Sequence, residues 1–160
     1  MTIALYISVI KALGFGGDIM VAIIIGTHGK FSKEILRSAE MIFGSQENVA
    51  AVTFEPGENV EDLVSRYKSE MEELDCSDGV LFMVDLFGGS PFNAASNIVV
   101  SSEKNMDVVT GINMPMLLEV FSTRSSSTLE EILNTARKSG LEGIKSLKES
   151  LSENIEEDDL

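Results

Sequence analysis

The residues with chemical potential in this chain are few, and they fall in two short runs. The first is Gly26-Thr27-His28-Gly29, which holds the only histidine of the sequence. A lone histidine is more often structural than reactive. Here, however, the flanking glycines leave the ring sterically open and let the loop take dihedrals that other residues avoid. The second run is Asp85-Leu-Phe-Gly-Gly-Ser-Pro, ending at Pro91. If Asp85 lies beside His28, its carboxylate accepts from one ring nitrogen, fixes the tautomer and stabilises the imidazolium, leaving the other nitrogen as a nucleophile. The plainer alternative is a carboxylate that caps a loop. Gly88-Gly89-Ser90-Pro91 reads as a helix start, with Ser90 as the cap and proline at the first helical position. The same glycines expose backbone N–H groups that, with the helix dipole, favour an anion such as phosphate. Thr27, Gly88, Gly89 and Ser90 are therefore the phosphate-binding candidates, and His28 and Asp85 the catalytic ones. A nucleophilic imidazole, a carboxylate to orient it and an anion cradle describe a phosphohistidine site. Imidazole has an ordinary pKa of about 6.5, so its neutral form is available near neutral pH.

These residues need elements that bring them together. From Met20 onward, short apolar runs alternate with longer amphipathic segments, the pattern of a doubly wound α/β domain with a mainly parallel sheet and helices on both faces. Val21–Gly26 is β-branched and continuous, so it reads as a central strand covered on both sides. Ser32 is placed to cap a helix running to about Phe43, and Val49–Phe54 forms the second strand. Asn59 caps a helix in which Val60, Leu63, Val64, Tyr67, Met71 and Leu74 recur at helical spacing. Gly79–Asp85 is a third strand, Pro91 to about Ser102 a third helix, and Met106–Gly111 a fourth strand. Two helical stretches follow, roughly Met116–Ser122 and Thr128–Ser139. Periodicity leaves Gly143–Leu147 open between a last strand and a turn of helix. In such a sheet, ligands bind beyond the carboxyl ends of the strands where strand order reverses, which is where both chemical runs fall.

Composition removes other classes. The length of 160 residues fits one ordinary domain, expected over residues 20–150. Twelve basic against 26 acidic residues give a formal net charge of −14, which opposes binding to nucleic acid or anionic lipid. Much of that charge lies in residues 55–75 and in the acidic tail, residues 151–160. A single cysteine, Cys76, forms no internal disulfide, and neither a Cys-x-x-Cys pair nor a histidine cluster offers a metal site. No cofactor is expected, and a reducing compartment is. Residues 1–19 are apolar, but Lys11 and Asp18 cut the run too short to span a bilayer, and basic residues do not precede it as in a signal peptide. Because Val21–Gly26 needs nothing before it, residues 1–19 are expected to be a leader ahead of a native start at Met20.

The order of motifs resembles one known family. From Met20 to about Leu147 the chain is similar to the IIA component of the mannose-family bacterial phosphoenolpyruvate:sugar phosphotransferase system. The matching runs are Ile-Ile-Ile-Gly-Thr-His-Gly, Ala-Glu-Met-Ile-Phe-Gly, Gln-Glu-Asn-Val, Pro-Gly-Glu-Asn, the long run from Gly79 to Ser96, and Asn-Met-Pro-Met-Leu. The resemblance implies that His28 takes a phosphoryl group from phosphorylated HPr through Nε2 and passes it to a IIB partner. It implies that Asp85 holds Nδ1, that Ser90 and its glycines lie near the phosphoryl oxygens, and that Met41 and Phe87 form an apolar rim. It also implies a cytoplasmic homodimer exchanging a C-terminal antiparallel strand near Gly143–Leu147, with the membrane components IIC and IID met only indirectly. The chain ends in Glu156-Glu-Asp-Asp-Leu, so the IIB partner is expected on a separate chain.

Rival readings carry discriminating features. A related phosphohistidine domain relays phosphate to dihydroxyacetone kinase, but it favours Met-Gly-Ser-Ala after the strand aspartate. A Ser-His-Asp hydrolase using Ser90 would want the Gly-x-Ser-x-Gly elbow, which is absent. A non-catalytic regulatory module of this fold would belong to a much longer chain, and a receiver domain would want acids where Gly-Thr-His stands. The sugar is left open among mannose, fructose, sorbose, amino sugars and gluconate.

Overall fold

The structure, a computed structural model, describes residues 19–151. The expected leader, apart from its last residue, and all but the first residue of the acidic tail lie outside the described residues. In chain order the elements are β1 (Ala22–His28), α1 (Phe31–Phe43), β2 (Val49–Phe54), α2 (Val60–Glu73), β3 (Val80–Val84), α3 (Ser90–Val100), β4 (Met106–Thr110), α4 (Met114–Thr123) and α5 (Leu129–Glu142). The four strands form one parallel sheet in the order β2-β1-β3-β4.

Burial follows from that order. β3 is buried throughout and β1 in all but its last residue, as their uninterrupted apolar runs require, whereas β2 and β4 at the edges mix buried and half-buried residues. Successive side chains point to opposite faces and divide the core in two. Ile23, Ile25, Leu81 and Met83 pack with Ile35 and Ala39 of α1, Leu117 and Val120 of α4, and Ile132 and Ala136 of α5. Ala22, Ile24, Val80 and Phe82 pack with Leu63 and Tyr67 of α2 and Ala94, Ala95 and Ile98 of α3. Helices thus cover both faces, the doubly wound arrangement expected.

Local signals set most boundaries. Asn59 and Asp62 form a reciprocal capping box at α2, and Thr128 and Glu131 do the same at α5. Two expected caps fall elsewhere. Ser32 lies inside α1, whose cap position is Lys30 with no side-chain bond; the Ser32 N–H instead donates to Thr27 Oγ1 at 2.6 Å. Ser90 is the first helical residue of α3, and Gly89 holds the cap position.

The C-terminal segment also resolves. Gly143 closes α5, residues 144–146 are irregular, and residues 147–151 are helical. No strand forms over Gly143–Leu147 among the described residues. At the amino end of the sheet, Arg124 is 2% exposed. Its guanidinium donates to the carbonyls of Val21, Asn48 and Glu47 and to Gln46 Oε1. Nothing in the spacing of the sequence marks this clamp between α4 and the strand starts.

Candidate functional site

β1 and β3 are adjacent, with Gly26 opposite Val84. From β1 the chain moves one way to β2 and later the other way to β3, so the order reverses between β1 and β3. His28 ends β1 and Asp85 follows the last residue of β3 directly, so both reach the same crevice at the carboxyl ends of the strands.

There Asp85 holds His28 at two points. Its Oδ2 accepts the backbone N–H of His28 at 2.9 Å and lies 2.9 Å from Nδ1 of the ring. A carboxylate oxygen in that place accepts, so Nδ1 carries the proton and the lone pair of the neutral ring is on Nε2. The other oxygen, Oδ1, is buried with no hydrogen-bond partner among the described residues. The imidazole stays 42% exposed against 21% for the carboxylate, so it can meet a partner while its support is covered.

The remaining sides of the ring are also bounded. Phe54, at the end of β2, stands edge-on to it at 5.7 Å, and the Phe54 carbonyl takes the Gly29 N–H at 2.8 Å. Gly29 sits at φ +56°, a left-handed geometry that suits glycine. Gly89 lies against the free edge: a Cβ there would come within 2.8 Å of His28 Cε1 and 3.4 Å of Nε2. The Ser90 amide follows in the first turn of α3, where N–H groups have no acceptor within the helix. A group attached at Nε2 would therefore face a glycine backbone and a helix N-terminus, which suits an anion.

Of the expected site residues, His28, Asp85, Gly88, Gly89 and Ser90 converge. Phe87 stands beside them, 75% exposed and packed on Phe92 at 4.6 Å, with the exposed Leu86 next to it. Thr27 does not join the cradle. It is fully buried, and its Oγ1 accepts the Ser32 N–H and donates to the His28 carbonyl. Its work is to fasten β1 to α1. Met41 does not join the rim either. It lies in the last turn of α1, ten residues past Phe31, and at 1.5 Å per residue it is about 15 Å along the helix, toward the opposite pole of the sheet.

Tyr67 is a contributor whose periodic position in α2 showed only that it is apolar core. Its ring is fully buried, and its hydroxyl donates to the Pro91 carbonyl at 3.3 Å. A Cβ on Gly26 would fall 1.8 Å from that hydroxyl, so β1 needs glycine two residues before His28. Burial, with the nearby charge of Asp85, raises the Tyr67 pKa well above the ordinary phenol value. Among the described residues, no three His, Cys, Asp or Glu side chains gather as metal ligands would, and no helix is long and apolar enough to cross a membrane.

Fold and site together define a small doubly wound α/β domain with one exposed histidine held by a carboxylate at the carboxyl ends of its strands. Residues 22–137 match the family described as the PTS system fructose IIA component. The mannose-specific EIIAB component of Escherichia coli K12 is 47% identical over 129 residues, covering 80% of this chain and 40% of that protein. The fructose-specific EIIA component of Bacillus subtilis is 38% identical over 118 residues, or 74% of this chain and 80% of its own length. Among solved structures, the phosphotransferase system component EIIA of Streptococcus agalactiae superposes with a TM-score of 0.75 at 32% identity, over 81% of this chain and 98% of its own. The chain belongs to the mannose–fructose–sorbose family of phosphotransferase-system IIA components. It spans less than half the length of the E. coli relative.

Proposed function

We propose that this protein is the phosphocarrier of a sugar phosphotransferase system, accepting a phosphoryl group on His28 from phosphorylated HPr and handing it to a IIB subunit. The observation that carries this is the 2.9 Å contact of Nδ1 with Asp85, which leaves the Nε2 lone pair free beside Gly89 and the start of α3. In the forward step Nε2 attacks phosphorus, the N–P bond forms, and the bond to the donor's leaving atom breaks with its electron pair. Nδ1 keeps its proton, and the Asp85 carboxylate balances the positive charge on the ring. The second step is the reverse at the same atom, with a nucleophile of IIB taking the phosphorus and Nε2 regaining its lone pair. The Gly88, Gly89 and Ser90 backbone holds the phosphoryl oxygens, and Leu86 and Phe87 meet the partner. The names of the relatives point to mannose, fructose or sorbose as the transported class of sugar.

The same proposal includes a cytoplasmic homodimer, with IIC and IID met only through IIB. Its support in this chain is the edge of β4, unpaired among the described residues, beside a groove of about 550 Å³ whose lining includes Val108, Leu133, Leu141 and Ile144. Phosphoenolpyruvate, Enzyme I and HPr should together label the protein, and His28→Ala should abolish the label. Label that persists in His28→Ala overturns the proposal.

A further inference from the structure

The run Pro56-Gly57-Glu58-Asn59 has no role so far beyond a turn. In the structure, residues 55–58 form a wall of a cavity of about 390 Å³ whose other lining residues are His28, Gly29 and Phe54. Gly57 makes the turn at φ +97°, and Asn59 opens α2. Between them Glu58 folds back. Its Oε2 accepts the Glu55 N–H at 2.5 Å and lies 2.8 Å from Nη2 of Arg66, in the second turn of α2. The N–H bonds of Nη2 do not point at that oxygen, so the contact is a charge pair and not an aligned hydrogen bond. One carboxylate thus ties the turn to itself and to a helix anchored in the core through Leu63 and Tyr67.

We infer that the Glu58–Arg66 pair positions the reactive imidazole for phosphoryl transfer by holding the 55–58 turn, and with it Phe54, against His28. The inference rests on the phosphohistidine reading of the site. Asp85 fixes the tautomer and one edge of the ring, and Gly89 bounds Nε2; neither limits rocking of the ring about the Nδ1···Oδ2 contact. Phe54 does, through a T-shaped contact with the ring centroids 5.7 Å apart and through its carbonyl bond to Gly29, and residues 55–58 follow it directly. A turn released from Arg66 lets Phe54 drift and opens the space beside the ring. Misplacement of a reacting group on the scale of an ångström is enough to slow a transfer severely. Glu58 and Arg66 are positioning residues, since neither bonds to His28.

The test compares Glu58→Gln, Arg66→Met and Arg66→Lys with the wild type, reading kcat and KM for phosphorylation by phospho-HPr, thermal midpoints, and the His28 ring proton signals by NMR. Glu58→Gln keeps the shape and the acceptor for Glu55 but drops the charge. A fall in kcat of about three- to tenfold is expected in Glu58→Gln and Arg66→Met, with midpoints moved by no more than about 3 °C and broadened ring signals. Arg66→Lys should stay within about twofold of the wild type, because a charge pair without directed hydrogen bonds accepts an ammonium. Wild-type rates in both charge-removing variants overturn the inference, as does a loss confined to KM or to thermal stability. A wild type that takes no label on His28 overturns instead the reading on which the inference rests.

Discussion

Replacing Asp85 by asparagine isolates the charge of the site from its geometry. The Oδ2 that meets Nδ1 also accepts the fixed backbone N–H of His28. An asparagine NH2 in that place would set donor against donor, so the amide oxygen takes the inner position and the tautomer survives. The buried side of the group, where Oδ1 has no partner among the described residues, then carries a neutral NH2. What is lost is attraction between the carboxylate and the ring when the ring is positive. Opposite unit charges about 4 Å apart attract by about 4 kcal/mol at an effective dielectric near 20. The ring is 42% exposed and its charge is spread over two nitrogens, so solvent reduces this toward the range of a charge-assisted hydrogen bond, about 1.5–3 kcal/mol. At about 1.4 kcal/mol per decade, transfer from HPr should slow by up to roughly ten- to a hundredfold, while return transfer slows less because the phosphorylated, positive ring loses the same support. Rapid-quench measurement of both directions reads this, with urea unfolding as the control for an intact fold. Rates within about twofold of the wild type would refute the assignment of Asp85 as the ring's counter-charge.

Other positions give independent checks. Gly89→Ala puts a Cβ 2.8 Å from Cε1 of His28, so labelling of His28 should fall by about two orders of magnitude with little change in the unfolding midpoint. Gly26→Ala drives a Cβ to 1.8 Å from the Tyr67 hydroxyl, and chemical denaturation should show a loss of about 3 kcal/mol or more, partly restored by Tyr67→Phe. The raised pKa of Tyr67 means the folded state keeps its phenol protonated where the unfolded chain, with its ordinary value of 10.0, releases the proton. The stability it contributes is therefore complete below pH 10 and declines as pH rises above it, by about 1.4 kcal/mol per unit at most. Denaturation series on either side of pH 10 should show this slope in the wild type and a shallower one in Tyr67→Phe.

The parts of the fold legible in the sequence are those governed by local rules. The unbroken Val21–Ile25 run reads as a central strand, and Asn59 announces its helix because a cap bonds to its own next turn. His28 and Asp85 were legible because both end strands, and strand ends share one side of a parallel sheet. The misplacements have tertiary causes. Ser32 looks like a cap, but its own N–H is served by Thr27 Oγ1, and Thr27 is buried. Met41 sits in a run that matches the family well, yet a matching run says nothing of distance along a helix. Tyr67, Arg124 and Glu58 act through partners 24, 103 and three residues away, so most of their contacts leave no periodic trace.

The central claim concerns one atom. Phosphorylation of uniformly nitrogen-labelled protein with phosphoenolpyruvate, Enzyme I and HPr, followed by NMR correlation of phosphorus with the ring nitrogens, reads that atom directly. Phosphorus coupled to Nε2 of His28, with Nδ1 still carrying its proton toward Asp85, is the expected result. Phosphorus on Nδ1, on another residue, or absent from the protein would contradict it.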